Sequence, residues 1–358
     1  MARIDLEQLQ KNFGEHTAVQ GLDLMIEDGE LLVLLGPSGC GKTTTLNCIA
    51  GLETPSSGRI LFDGEDVTAK PPHQRNIAMV FQSSLLYPHM TARKNIGASL
   101  AKQGLDEQAI ADRIAEAAAT VDITDLLDKL PSQLSGGERQ RVATAKAIVR
   151  QPRAFLLDEP LAALDAALRL TLRSELVNLQ KRLATTMVFV THDQVEAMTM
   201  GDRIAVMNDG RLEQIGSPDE IYNHPTTLFV ASFVGSPPMN FVAARDIVDL
   251  PDTDGGAWRN LASRENGMGV TLGVRPQHLR ISAEPNGGMP TTVFALEHLG
   301  RESVLIMEDD RKKKLRALVE PGFKARVGDR LFALPDPKHC LLFDENGNAM
   351  AKPATDGG

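Results

Sequence analysis

Only three cysteines, Cys40, Cys48 and Cys340, occur in 358 residues, and no two form a C-x-x-C pair. Neither a disulfide framework nor a zinc site is expected, and a reducing compartment fits. Positive charge is in deficit, with 38 Lys and Arg against 47 Asp and Glu and a net charge of -9. Such a chain repels phosphate backbones, so no nucleic-acid partner is expected. Long apolar runs are missing too. The longest strongly apolar run near the start, Leu31 to Leu35, is far too short to span a bilayer. Met1 to Asp5 opens no apolar stretch of signal-peptide length. By itself the chain reads as soluble.

What is present is ordinary globular material: 42% hydrophobic and 24% charged residues, in a length that suits one large domain and a smaller one. Ile4 to Ile26 reads as short alternating strands broken at Gly14 and Gly21. Leu31 to Leu35 is a buried strand, followed by a glycine-rich turn and a helix from Thr43 to Ala50, the opening of a βα unit. Ile110, Ile114, Ala117 and Val121 recur at helical spacing, as do Leu168, Leu172, Leu176, Leu179 and Leu183. Both stripes predict core-facing helix sides and carry no functional reading. Thr186 to Thr191 reads as another buried strand. Near Gly235-Ser236-Pro237-Pro238 the texture changes to short β-like pieces, Val270 to Val274, Val304 to Met307 and Leu331 to Leu334, punctuated by glycine and proline. A β-rich second domain is expected from there, with Arg311-Lys312-Lys313-Lys314 at a solvated hairpin tip.

Gly36-Pro37-Ser38-Gly39-Cys40-Gly41-Lys42-Thr43 satisfies the phosphate-loop pattern Gly-x-x-x-x-Gly-Lys-Ser/Thr. Glycines let the backbone wrap closely around phosphate oxygens and aim N–H groups at them. The following helix turns its N-terminus, worth roughly half a positive charge, to the same anion. Lys42 neutralises the β and γ phosphates, and the Thr43 hydroxyl can ligate Mg2+. Cys40, inside this loop, is expected to be open to alkylation and protected by nucleotide. A phosphate loop alone leaves kinases, GTPases and motors open. Ala154 to Glu159 narrows them: an apolar strand ends in two carboxylates, Asp158 for the magnesium shell and Glu159 to polarise the attacking water. In isolation such an acid pair is better read as a loop cap; beside a phosphate loop it is not. Leu134-Ser135-Gly136-Gly137-Glu138-Arg139-Gln140 then supplies a second anion-binding helix start. One nucleotide has no use for two cradles on one subunit. A head-to-tail dimer has, with ATP between Lys42 of one copy and Ser135 of the other.

These motifs together resemble the ATP-binding cassette (ABC) family, without large gaps from about Ile4 to Val234. The resemblance implies an α/β P-loop NTPase domain over residues 1–235, with a helical subdomain at about 87–153. It also implies a C-terminal β-rich, OB-like regulatory domain over 236–358. It assigns Gly36, Ser38, Gly39, Cys40, Gly41, Lys42, Thr43 and Thr44 to the nucleotide, and Phe13 to its adenine. Gln82 falls in the loop that touches Mg2+ and senses the membrane partner. Ser135, Gly136 and Gly137 belong to the signature, Asp165 to the loop crossing the dimer interface, and His192 to the γ-phosphate contact. Glu159, His192 and Lys42 are then the catalytic group, and Thr43, Gln82 and Asp158 the metal group, with ATP and Mg2+ as cofactors.

Within the family, Phe233-Val234-Gly235-Ser236-Pro237-Pro238-Met239-Asn240 and Thr191 to Met198 resemble the sugar-importer branch, typified by the maltose-transporter ATPase. Gly273 to His278 resembles a recurring run of that branch's C-terminal domain, with Gln277 in place of glutamate. The implied assembly is a homodimer, peripheral at the cytoplasmic face of the inner membrane. It sits beneath two transmembrane permease subunits that are fed by a solute-binding protein. The implied solute is a sugar or sugar derivative. A polyamine, metal or oxyanion importer, or a soluble non-transport ABC ATPase, is the alternative. Ala162, where serine is common, and Lys94, where an acid is usual, depart from the pattern without touching the hydrolysis residues.

Overall fold

The computed structural model describes residues 2–80, 86–100, 104–162, 164–248, 256, 258–259 and 269–350. The chain divides into two compact units, Met1–Asp219 and Glu220–Gly358.

In the first unit, β1 (Ile4–Phe13) and β2 (His16–Ile26) form an antiparallel hairpin. Gly14, at φ 60°, makes its turn. Gly21 does not end a strand. It sits inside β2 with φ 59°, where the register with β1 slips, so its freedom at positive φ serves a bulge and not a break. The run Leu31 to Leu35 is β3 (Leu31–Leu35), and every one of its residues is buried. It feeds α1 (Lys42–Ala50) through the glycine turn. Next come β4 (Ser57–Phe62), β5 (Glu65–Asp66) and β6 (Ile77–Val80). A helical stretch follows: α2 (Ala92–Gly97), α3 (Glu107–Thr120) and α4 (Gly136–Ile148). The chain returns through β7 (Ala154–Asp158), α5 (Ala166–Leu183), β8 (Thr186–Thr191) and α6 (Gln194–Met200), and closes with β9 (Arg203–Asn208) and β10 (Arg211–Gly216).

The site is positioned by the sheet with strand order β10-β9-β3-β8-β7-β6. Neighbours from β9 to β6 run parallel, and β10 is an antiparallel edge. Parallel strands covered on both faces need apolar runs without alternation, and β3, β7 and β8 have them. Their C-terminal ends therefore lie side by side: Leu35 pairs with Thr191 across β3 and β8, and Asp158 with Val190 across β7 and β8. Of the two helical stripes, Ile114 and Ala117, and Leu172, Leu176 and Leu179, are buried. Asn95 is fully buried and braces the segment before α2: its amide accepts from Tyr87 N–H and donates to the carbonyls of Tyr87, Met90 and Thr91.

The second unit begins ahead of the glycine–proline run at 235–238. The buried Arg275 guanidinium donates to the carbonyls of Tyr222, Ala231 and Val234, and so holds α7 (Pro218–Asn223) and α8 (Leu228–Phe233) to the β-rich part. Then follow β11 (Asn240–Ala243), α9 (Ala244–Val248), β12 (Thr271–Val274), β13 (Leu279–Ser282) and β14 (Met289–His298). The chain ends in β15 (Ser303–Glu308), β16 (Lys314–Val319), β17 (Arg330–Pro335) and β18 (Cys340–Phe343). They form sheets of order β11-β12-β18 and β13-β17-β14-β15-β16. Trp258 is fully buried in their common core, its indole N–H on the Ala333 carbonyl at 2.8 Å. The Arg311 to Lys314 run is the β15–β16 turn, as its sequence predicts, but it is not merely solvated. Arg311 and Lys313 both pair with Asp246 of α9, and Lys314 lies over the Phe294 ring at 3.8 Å.

Candidate functional site

The glycine turn is forced by its surroundings. A side chain at Gly36 would collide with the Met207 carbonyl and with Cys40 Sγ, and one at Gly41 with the Ala18 carbonyl. Gly39 and Gly41 also hold φ of 82° and 99°, which side-chain-bearing residues rarely adopt. The loop wraps over Lys42, whose buried ammonium donates to the carbonyls of Gly36 at 2.8 Å and Pro37 at 2.9 Å. Ser38, Gly39, Gly41, Lys42, Thr43 and Thr44 line a cavity of about 350 Å³, together with Phe13, His16, Ala18 and Glu159. Phe13, half exposed with Lys11 Nζ 4.8 Å from its ring centroid, stands at the end of β1 opposite His16. His16 and Ala18 escaped the sequence reading. The turn at Gly14 was the available signal, because it returns β2 past Phe13 and brings both residues to the same rim.

Cys40 does not face this cavity. Its thiol is buried in the core cluster with Leu34, Leu46 and Met207, and burial pushes its pKa up. The expectation that alkylating reagents reach it, with nucleotide as the protecting group, is therefore corrected: the fold itself shields it. Cys40 can offer the site its backbone alone.

Asp158 ends β7 with Oδ1 accepting from the Thr43 hydroxyl at 2.9 Å. Burial raises its pKa, with Thr43 and Lys42 acting in the opposite direction. A half-buried carboxylate held by one hydroxyl is a donor set that a hard cation would complete. Glu159 adopts φ 45° and donates its N–H to the Val190 carbonyl at 3.1 Å, a turn that aims its side chain into the cavity. His192, beyond the end of β8, has Nδ1 3.1 Å from Glu159 Oε1. Behind it Thr191 donates to the buried Glu196 at 2.6 Å, and Asp193 caps α6 through the N–H groups of Val195 and Glu196. Three strand ends thus bring Lys42, Thr43, Asp158, Glu159 and His192 together.

Ser135, Gly136 and Gly137 are not among the residues lining this cavity. Ser135 is the N-cap of α4 in a capping box: its hydroxyl accepts from Glu138 N–H, and Glu138 Oε2 accepts from Ser135 N–H at 2.7 Å. The bond from Ser135 N–H holds the Glu138 carboxyl below its ordinary range. Reading this segment only as an anion cradle missed the box, although Ser-x-x-Glu is legible in it. Gly137 is needed where α4 meets Leu168, whose Cδ1 a Cβ would approach to 2.8 Å. Asp165 caps α5, accepting from Leu168 N–H at 3.0 Å. Gln82, and Ala163 of the stretch that follows Glu159, lie outside the described residues.

A family model described as ABC transporter matches residues 19–162, and one described as TOBE domain matches 272–343. The trehalose import ATP-binding protein SugC of Mycobacterium tuberculosis is 52% identical over 295 residues, covering 79% of this chain and 74% of the relative. The chain belongs to the ABC transporter family. Like other ATP-binding subunits of that family, it is an ATPase. The osmoprotective compounds uptake ATP-binding protein GgtA of Synechocystis is 44% identical over 96% of this chain and 98% of its own. The sn-glycerol-3-phosphate import ATP-binding protein UgpC of Salmonella typhi is 47% identical over 98% of this chain and all of its own length. Among solved structures, cbiO1 of Clostridium perfringens, part of the ABC transporter complex cbiONQ, matches with a TM-score of 0.58 at 32% identity. That match covers 61% of this chain and 89% of cbiO1. An ABC ATPase domain binds nucleotide.

Proposed function

We propose that this chain drives uptake of a sugar or sugar derivative, as one of two identical ATPase subunits docked peripherally on a pair of permease subunits at the cytoplasmic face of the membrane. The solute class rests on what two relatives' names have in common: trehalose and glycerol phosphate are both polyhydroxylated. No helix among the described residues is long and apolar enough to cross a membrane, so the crossing falls to partners.

The observation that carries the mechanism is that Lys42, Thr43 and Glu159 line one cavity, with Asp158 bonded to Thr43 and His192 to Glu159, while the Ser135 helix start is not among its lining residues. Thr43 and Asp158 would hold Mg2+, which supplies charge neutralisation on the phosphates. Lys42 stabilises the transferred charge. Glu159 orients and polarises the attacking water, and His192, held by its bond to Glu159, meets the γ-phosphate. Ser135 and the N–H groups of α4 complete the same nucleotide from the second subunit, so ATP closes the dimer and hydrolysis reopens it.

The test pairs Glu159→Gln with Glu159→Gln/Ser135→Arg. The single variant should bind MgATP and accumulate a closed dimer on size exclusion, and the double variant should not. Dimerisation of the double variant with ATP would refute the composite site. Uptake by vesicles carrying the copurified permease, with solutes screened against its binding protein, tests the solute class.

A further inference from the structure

Beyond Glu220, three ligating side chains that hydrolysis does not use come together. His278 precedes β13, Asp336 follows β17 and His339 precedes β18. Strands β13 and β17 pair antiparallel with Leu279 opposite Pro335, which sets His278 beside Asp336. Asp336 N–H donates to the His278 carbonyl at 2.9 Å, and His339 N–H returns to the Asp336 carbonyl at 3.0 Å. Asp336 Oδ1 caps the intervening turn by accepting from Lys338 N–H at 3.1 Å. A hydrogen-bonded backbone, fixed by sheet register, therefore projects all three side chains. One ligand atom from each lies within 4.8 Å of the other two. His339 Nδ1 is already 3.0 Å from Asp336 Oδ2, and the two imidazoles stack with centroids 3.9 Å apart and planes 4° from parallel.

We propose that His278, Asp336 and His339 form a binding site for one late first-row divalent cation, with Zn2+ the best chemical match. Two imidazole nitrogens and one carboxylate oxygen suit Zn2+, Cu2+ or Ni2+, whereas Mg2+ and Ca2+ take oxygen sets. Three protein ligands leave a fourth tetrahedral position to water. With metal–nitrogen distances of about 2.0–2.1 Å, tetrahedral ligand atoms stand roughly 3.3 Å apart, so the cluster has to contract. In the stack the ring lone pairs lie in parallel planes. Turning the rings about χ2, a broad torsion, aims both at a common centre. His339 is exposed and His278 and Asp336 are half-buried, so the cation has access and the rings have room. Bound there, it ties the start of β13 to the end of β17 and the start of β18, a cross-link within the C-terminal unit. The hard-cation pair Thr43 and Asp158 has no nitrogen ligand, which separates the two sites chemically.

The test uses the full chain, stripped with a chelator and titrated calorimetrically with Zn2+ in the presence of excess Mg2+. One equivalent should bind the wild type. His278→Gln and His339→Gln should each weaken binding at least tenfold, and His298→Gln, altered elsewhere in the same unit, should not. Asp336→Asn, which keeps the turn cap, is the second line should a histidine variant fold poorly. Zn2+ should also raise the melting temperature of the wild type and leave that of His339→Gln unmoved. No Zn2+ binding by the wild type, affinity indifferent to both histidine substitutions, or displacement of Zn2+ by Mg2+ would each overturn the site.

Discussion

Glu159 carries the largest single burden at the scale of one residue. Its left-handed backbone costs on the order of 1–2 kcal/mol, and it is tolerated because the turn is pinned to Val190 and aims the carboxylate at the cavity. On the proposed mechanism Glu159→Gln keeps the shape and loses the base, so steady-state hydrolysis should fall about 10²–10⁴-fold while ATP affinity stays near wild type. Turnover at the wild-type rate would remove Glu159 from the mechanism. The cysteines behave in the opposite way, as inert core. All three are buried, and burial lifts Cys48 to about 11. A thiol titration at pH 9, where an unperturbed cysteine of pKa about 8.5 is mostly thiolate, should find the native protein largely unreactive with or without MgATP. Urea should release all three, and rapid labelling of Cys40 before unfolding would contradict the burial. Glu196 offers a pH test with a defined sign. Burial raises its pKa above the ordinary glutamate value. The stability linked to its proton is therefore fully present below that ordinary value and is lost as pH rises through the raised one. Glu196→Gln, permanently neutral, should be the more stable protein at pH 7 by urea midpoint, and the gap should narrow on acidification. A gap that widens towards acid would reverse the assignment.

Helix α4 shows how one element can hold two readings of the same residues. Its Ser135 start is a cap for this chain and, under the composite-site reading, a phosphate contact for another. Removing the hydroxyl confounds them, because losing an N-cap serine alone costs about 1 kcal/mol. Ser135→Asp separates them: aspartate caps as well as serine but places a negative charge against phosphate. That variant should melt within a degree or two of wild type and yet lose ATP-driven dimerisation in the Glu159→Gln background. A Ser135→Asp protein that still dimerises with ATP would leave the cap as the only role. Elements whose signal is local were legible in the sequence. The apolar run of β3, the acid pair ending β7 and the glycine pattern between β3 and α1 each state their own geometry. The Gly21 bulge was not, since a glycine in a strand reads equally as a break until its partner's register is known. The inward turn of Cys40 was hidden for the same reason, being decided in part by Met207, which is distant in sequence.

For the whole molecule, the place where one unit ends decides which truncation survives. Composition changes at Gly235, and a cut near Val234 would look clean from sequence alone. The folded chain divides at Asp219, because Arg275 gathers the carbonyls of Tyr222, Ala231 and Val234 into the second unit. A chain ending at Val234 would keep α8 while deleting the guanidinium that satisfies those carbonyls. Val230, Ala231 and Val234, all fully buried in the intact protein, would lose their cover. At roughly 25 cal/mol per Å² of apolar surface, that exposure costs several kcal/mol of local order and leaves a sticky end. Every residue lining the proposed nucleotide cavity, from Phe13 to Glu159, and His192 bonded to Glu159, precedes Asp219. A protein of residues 1–219 should therefore bind ATP with near wild-type affinity and run as a single species on size exclusion. The 1–234 protein should bind ATP too, but aggregate at lower temperature. In the full chain, Arg275→Met keeps much of the side-chain volume and removes the donors, so it should raise proteolytic cleavage between Glu220 and Val234 without changing ATP affinity. Equal aggregation temperatures for the two truncations, together with an unchanged cleavage pattern in Arg275→Met, would show that Arg275 does not hold this segment.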